Sequence, residues 1–238
     1  MQNQESYENS GRGAEAGNRR AGSILKERDS WWTVLVIDPI AVRLTYWFAD
    51  NTSITPNIVS AVSLAFTLLS SYLFYRGFLW QGALIYEVSF LFDCIDGKLA
   101  RLQNRQSAVG YLFDRLFDKF RLFLNTLALG YHARFLLLPF IFVFLYLWQE
   151  GEGIRDLYLK KGSSEAEASG TFRERLRRSF ARRRLVVFPN LVEADTLVFF
   201  VGPLIKRIEI GFILGIAVVT LNILKLIFYS LERRGKSG

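Results

Sequence analysis

Four aspartates, Asp93, Asp96, Asp114 and Asp118, stand in two stretches that are otherwise apolar enough to enter a lipid bilayer. A carboxylate at the centre of a membrane helix costs about 2.5–3.5 kcal/mol on insertion scales, so the group costs roughly 10 kcal/mol together. Such a cost is tolerated where the carboxylates meet cations. Arg115 and Lys119 are one source of positive charge, and a bound metal ion is the other. At about 100° per residue, Asp93, Asp96, Gly97, Ala100 and Arg101 fall within about 140° of helical arc. Ser107, Gly110, Asp114 and Asp118 likewise share one face of the following helix. The small residues Gly97, Ala100 and Gly110 leave those faces open to a ligand or to a close neighbouring helix. Hard oxygen donors from two facing helices suit Mg²⁺ or Mn²⁺.

The rest of the chain reads as an all-α membrane protein. Of its 238 residues 51% are hydrophobic and 22% charged, and the apolar residues lie in long blocks with the charges between them, as in membrane spans and their loops. The formal charge of +8 fits anionic lipid headgroups and phosphorylated substrates. No array of Lys and Arg with interleaved aromatics marks a nucleic-acid module, so no nucleic-acid partner is expected. Cys94 is the single cysteine, which excludes an internal disulfide and a cysteine zinc cluster. The polar N-terminus is not read as a signal peptide, so insertion is expected to use an internal span.

Residues 1–23 read as a disordered cytoplasmic tail. Residues 24–50 form an amphipathic juxtamembrane helix with Trp31, Trp32, Tyr46 and Trp47 near its ends, broken at Asp38-Pro39. It is expected to lie in the interface rather than to span, because Asp38 and Arg43 are costly at bilayer depth. Residues 51–238 hold six transmembrane helices, at about 54–75, 81–99, 108–131, 135–148, 191–205 and 209–231. Ser53 or Thr55 caps the first, with Pro56 in its opening turn. The loop 149–190 carries ten Lys and Arg, against only Arg76, Arg134, Lys206 and Arg207 on the opposite side. The positive-inside rule then puts both termini in the cytoplasm of a multi-pass cell-membrane protein. The basic stretch from Arg173 to Arg184 reads as positive-inside charge, or as a wall that recruits a phosphorylated acceptor. Glu193 and Asp195 either complement a helix N-terminus or hold a polyol. His132 and Cys94 receive no chemical role.

Asp93, Asp96, Gly97, Ala100, Arg101, Gly110, Asp114 and Asp118 together reproduce the pattern D-x-x-D-G-x-x-A-R-x8-G-x3-D-x3-D without a gap. In this the chain resembles the CDP-alcohol phosphotransferase family, and the likeness extends to Ile54-Thr55-Pro56-Asn57 at the first span. The resemblance implies that Asp93, Asp96, Asp114 and Asp118 surround two metal ions bridging the diphosphate of a CDP-linked donor. It implies that Gly97, Arg101 and Ser107 contact the CDP moiety, that Asn57 to Ser60 lie beneath the nucleotide, and that Asp118 is the general base. A substituted phosphate, phosphatidyl where the donor is CDP-diacylglycerol, would then pass to an alcohol with release of CMP. The acceptor is expected to be inositol phosphate or glycerol phosphate, and the enzyme a homodimer in phospholipid biosynthesis. The competing reading is a cation-coupled transporter using intramembrane aspartates. Against it, the acidic helix pair has no counterpart in residues 130–238.

Overall fold

The computed structural model describes residues 24–160, 180 and 183–236. The tail 1–23 and most of the basic stretch 173–184 lie outside the described residues, as does the loop's Gly/Ser/Glu-rich segment. Among the described residues the fold is helical throughout, with one isolated parallel bridge between Asp29 and Leu185. A π-helical segment, Thr33–Ile37, runs into α1 (Asp38–Asn51). α2 (Pro56–Tyr75), α3 (Leu79–Leu102), α4 (Ala108–His132) and α5 (Leu137–Lys160) follow. After the basic stretch come α6 (Leu191–Asp195), a second π-helical segment (Thr196–Val201), α7 (Gly202–Leu204) and α8 (Ile208–Lys236).

The juxtamembrane helix, expected from sequence to break at Asp38-Pro39, continues through both residues. Pro39 falls in the first turn of α1, directly after the π-helical turns, where its missing N–H costs least. Asp38 is buried and ion-paired: one oxygen lies 2.8 Å from Lys98 Nζ and the other 3.1 Å from Arg184 Nη1. The helix expected to end near Trp148 continues to Lys160. Glu, Arg, Leu and Lys there propagate a helix well and no proline stops it. In contrast, the expected fifth span is a composite of α6, π-helix and α7. α2 and the Ile208–Phe228 part of α8, 20 and 21 residues long, are each apolar and long enough to cross a bilayer, and Leu137–Gly151 is a shorter apolar helix. α3 and α4 have the length, but carry the charged residues of the site.

α2 is the central strut. It packs against both α3 and α4, while α1 lies on α3 and α8 lies along α5. Hydroxyls on α2 join it to its neighbours: Ser63 Oγ donates to Ser89 O at 2.9 Å, Ser70 Oγ to Asn125 Oδ1 at 2.7 Å, and Ser71 Oγ to Leu124 O at 3.0 Å. Small polar residues of this kind bring membrane helices close and satisfy one another where no water can. Two apolar clusters flank this seam. The smaller, around Ile37, Ala41, Val59, Ile95 and Leu99, holds α1, α2 and α3 together near the aspartates. The larger, around Phe74, Tyr86, Leu129, Phe142, Phe199 and Phe212, joins the remaining helices. At the turn between α2 and α3, Gly77 adopts φ +82°, and a Cβ there would lie 2.6 Å from the His132 ring. His132 is therefore a packing residue at the turn.

Candidate functional site

α3 ends at Leu102, and a short connector leads to α4, whose N-cap is Ser107. Ser107 Oγ accepts from Gly110 N at 2.9 Å, satisfying one of the orphan amides of the first turn. Asn104 in the connector takes φ +52°, a left-handed conformation that Asn tolerates better than most residues. The connector turns the chain back, and the aspartates of α3 and α4 meet. One carboxylate oxygen each from Asp93, Asp96 and Asp114 lies within 4.8 Å of the others. Asp96 is buried, and Asp93 and Asp114 are partly exposed. Such a set of hard anionic oxygens, contributed by two helices, has the donor chemistry that Mg²⁺ or Mn²⁺ requires.

Asp118 lies outside that group of three but shares a cation with Asp93. It is ion-paired with Arg121, one turn further along α4. The buried Arg121 guanidinium also grips Asp93 with both terminal nitrogens, at 3.2 Å to Oδ1 and 3.2 Å to Oδ2, and its centre lies 5.5 Å from the Phe90 ring centroid. Arg121 was not among the cations expected to meet the aspartates. Its signal was present in the sequence: seven residues beyond Asp114 is nearly two full turns, so both share a face. Arg115 and Lys119, the cations adjacent to the aspartates in sequence, instead pair with Glu150 on the extension of α5. Among the described residues, the ion pairs of the four aspartates all run through Arg121 to Asp93 and Asp118. Among the described residues Asp96 and Asp114 have no Lys or Arg in ion-pair contact, and this acidic excess fits a cation.

The residues expected at the nucleotide lie in the first turns of α2, towards the end of α3 and at the N-cap of α4. Ser60 Oγ donates to Asp96 Oδ2 at 2.5 Å and also lies 3.1 Å from Pro56 O. Asn57, one turn earlier on α2, is exposed. A Cβ built on Gly97 would meet nothing nearer than Arg101 Nη1 at 3.8 Å, so the space beside Gly97 is open. Arg101 Nε donates to Ile24 O at 2.7 Å, which lays the N-terminal segment across the end of α3. That segment is pinned on its other side. Asp29 N donates to Arg184 O at 2.8 Å, Val186 N to Asp29 O at 3.1 Å, and Trp31 Nε1 to Val186 O at 2.6 Å.

Glu193 and Asp195 separate into different tasks. Glu193 accepts from Asn190 N at 2.7 Å within a capping box and also from Trp31 N, so it starts α6 and ties down the N-terminal segment. Asp195 points instead to α5, where its Oδ2 accepts from Tyr146 OH at 3.0 Å.

A family model described as CDP-alcohol phosphatidyltransferase matches residues 53–170, a stretch containing all eight motif positions and Ser60. Comparison with curated proteins gives no match.

Proposed function

Because the chain belongs to the CDP-alcohol phosphatidyltransferase family, we propose that it transfers a phosphatidyl group from CDP-diacylglycerol to an alcohol and releases CMP. The observation that carries this reading is the convergence of Asp93, Asp96 and Asp114 within 4.8 Å, at the spacing of the motif. In the reaction, the acceptor hydroxyl oxygen bonds to the phosphorus that carries the lipid. The bond from that phosphorus to the CMP oxygen breaks, and CMP departs with the electron pair. Two divalent cations held by Asp93, Asp96, Asp114 and Asp118 would neutralise the donor diphosphate and favour in-line displacement.

The remaining tasks fall to the chain's own residues. Ser60 orients the Asp96 carboxylate through its hydrogen bond. Asn57, Gly97, Arg101 and Ser107 bind the CDP moiety, with Gly97 leaving room and Arg101 supplying charge. Asp118, oriented by Arg121, takes the proton from the attacking hydroxyl. Six transmembrane helices form this unit, with the juxtamembrane helix on the interface and both termini in the cytoplasm. The protein works as a homodimer in the cell membrane, and its acceptor is inositol phosphate or glycerol phosphate.

The test is to incubate the purified protein with Mn²⁺ or Mg²⁺, CDP-diacylglycerol and a panel of alcohols, following CMP by mass spectrometry. Acceptor-dependent CMP release supports the reading. Absence of CMP with every acceptor, from protein that remains folded, rejects it.

A further inference from the structure

Asp195 is partly buried in the helix bundle and only one of its oxygens is used. Oδ2 accepts from Tyr146 OH, while Oδ1 is fully enclosed and has no hydrogen-bond partner. Leaving a carboxylate oxygen enclosed and unpaired is unfavourable unless something else completes it. The local backbone is unusual at this point as well, because α6 gives way to π-helical turns at Thr196, immediately after Asp195. Such widened turns are rare, and they recur at functional sites because they re-aim the side chains beside them.

The surroundings connect Asp195 to the reaction centre. It lies within electrostatic reach of Arg121, Asp118 and Lys119. Tyr86 on α3 packs its ring 4.9 Å from Phe199, two turns or less beyond Asp195, and lies within electrostatic reach of Asp195, Arg121 and Asp118. Lys119 Nζ stands 5.5 Å from the centroid of the Tyr146 ring. Asp118, Arg121, Tyr86, Tyr146 and Asp195 thus form one polar cluster built from α3, α4, α5 and α6, in which Arg121 and Tyr86 are buried and the Asp118 side chain is 40% exposed.

Building on the transferase reading, we infer that Asp195, held by Tyr146, forms an acceptor subsite that takes a second, non-reacting hydroxyl of a polyol acceptor. A free carboxylate oxygen calls for a donor. A neutral hydroxyl supplies one without adding a charge to a cluster whose cations are already paired, Lys119 with Glu150 and Arg121 with Asp93 and Asp118. While one hydroxyl attacks the phosphorus and yields its proton to Asp118, a neighbouring hydroxyl anchors on Asp195 Oδ1. The acceptor is thereby oriented rather than merely admitted.

The full-length protein in phospholipid nanodiscs, with Mn²⁺ and CDP-diacylglycerol, is assayed for CMP release with paired acceptors. Glycerol 3-phosphate is set against 3-hydroxypropyl phosphate, inositol 1-phosphate against an analogue lacking the neighbouring hydroxyl, and serine supplies the ammonium case. The Asp195→Asn variant is expected to lose about 10-fold or more in kcat/KM for the intact polyol that the wild type uses, the scale of a hydrogen bond to a charged group. It should change by less than about 3-fold for the matching deoxy analogue, with the donor KM unchanged. Tyr146→Phe, which removes only the hydroxyl that orients Asp195, should shift the same preference in the same direction. Stabilisation of the donor-free protein against heat by the preferred polyol should likewise fall in both variants. Equal losses for the polyol and its deoxy analogue, no loss at all, or a wild-type preference for serine overturn the subsite while leaving the transferase reading intact. Absence of CMP release from the wild type with every acceptor rejects the transferase reading itself.

Discussion

Ser60 on α2 donates its hydroxyl proton to Asp96 on α3 at 2.5 Å, joining the first span to the acidic cluster by a single side-chain contact. Ser60 lies one turn into α2, and Asp96 is buried. This contact makes a residue on the central strut responsible for the direction in which Asp96 faces. Groups that orient a metal-binding carboxylate commonly change metal affinity by about 10–100-fold when removed. Ser60→Ala is therefore expected to weaken Mn²⁺ binding by about 10-fold without unfolding the protein. Titration of free Mn²⁺ by electron paramagnetic resonance measures it, and unchanged affinity would remove Ser60 from the site.

Asp118 and Asp96 should separate in a paired measurement. Asp118→Asn is expected to keep binding the metal and the CDP-linked donor while turnover falls by a factor of about 10² or more, the scale of general-base removal. Asp96→Asn should lose donor binding together with turnover, because it removes a carboxylate from the converging group. Should Asp118→Asn lose donor binding as badly as Asp96→Asn, Asp118 is chiefly a metal ligand and the proton leaves by another route.

Chelation should abolish activity reversibly. The converging group consists of aspartates alone, with no thiolate or imidazole to favour zinc. Excess EDTA is expected to stop CMP release, with Mg²⁺ or Mn²⁺ restoring it. Full turnover in EDTA would show that the carboxylates serve another purpose.

Arg121 is the resident cation of the site, shared by Asp93 and Asp118. Arg121→Gln leaves two carboxylates facing each other without a counter-charge, and breaking a buried pair in this way costs about 3–5 kcal/mol. The variant is expected to melt several degrees lower than the wild type in metal-free buffer. Added Mn²⁺ should then recover more stability in the variant than in the wild type. Equal recovery in both would mean that Arg121 and the metal act on separate parts of the protein.

Asp38 and Lys98, both buried, pair at 2.8 Å and fasten α1 to α3. Asp38→Asn should destabilise the protein by about 3–5 kcal/mol, because Lys98 is left enclosed without its partner. Replacing both by apolar residues of similar volume, Asp38→Leu with Lys98→Met, should recover most of that loss. Thermal melting in detergent distinguishes the two outcomes, and failure of the double variant to recover would assign the stability to Arg184 instead, which also contacts Asp38.

How much of this was legible beforehand differs from residue to residue. The spacing from Asp93 to Asp118 already placed the aspartates on single faces of two helices, because helical periodicity is a local property that sequence displays directly. The start of α2 at Pro56 was legible for the same reason, since proline suits the first turn of a helix, although Thr55 at its N-cap makes no side-chain capping bond. The pairing of Asp38 was hidden. Its partners Lys98 and Arg184 are remote in sequence, so its charge read only as a cost at bilayer depth, and the ion pairs that offset it did not show.

The sequence by itself determined the helical class, the acidic faces of α3 and α4 and the family to which the chain belongs, since each depends on residue type and short-range spacing. Only the tertiary structure decided which cation serves which carboxylate. Arg115 and Lys119 turn to Glu150, Arg121 takes Asp93 and Asp118, and Asp96 receives Ser60. Charge partners are selected by the three-dimensional packing of helices whose side chains reach several ångströms in many directions. Periodicity limits those directions to a face, and the packing of α2 against both α3 and α4 chooses among the residues on it.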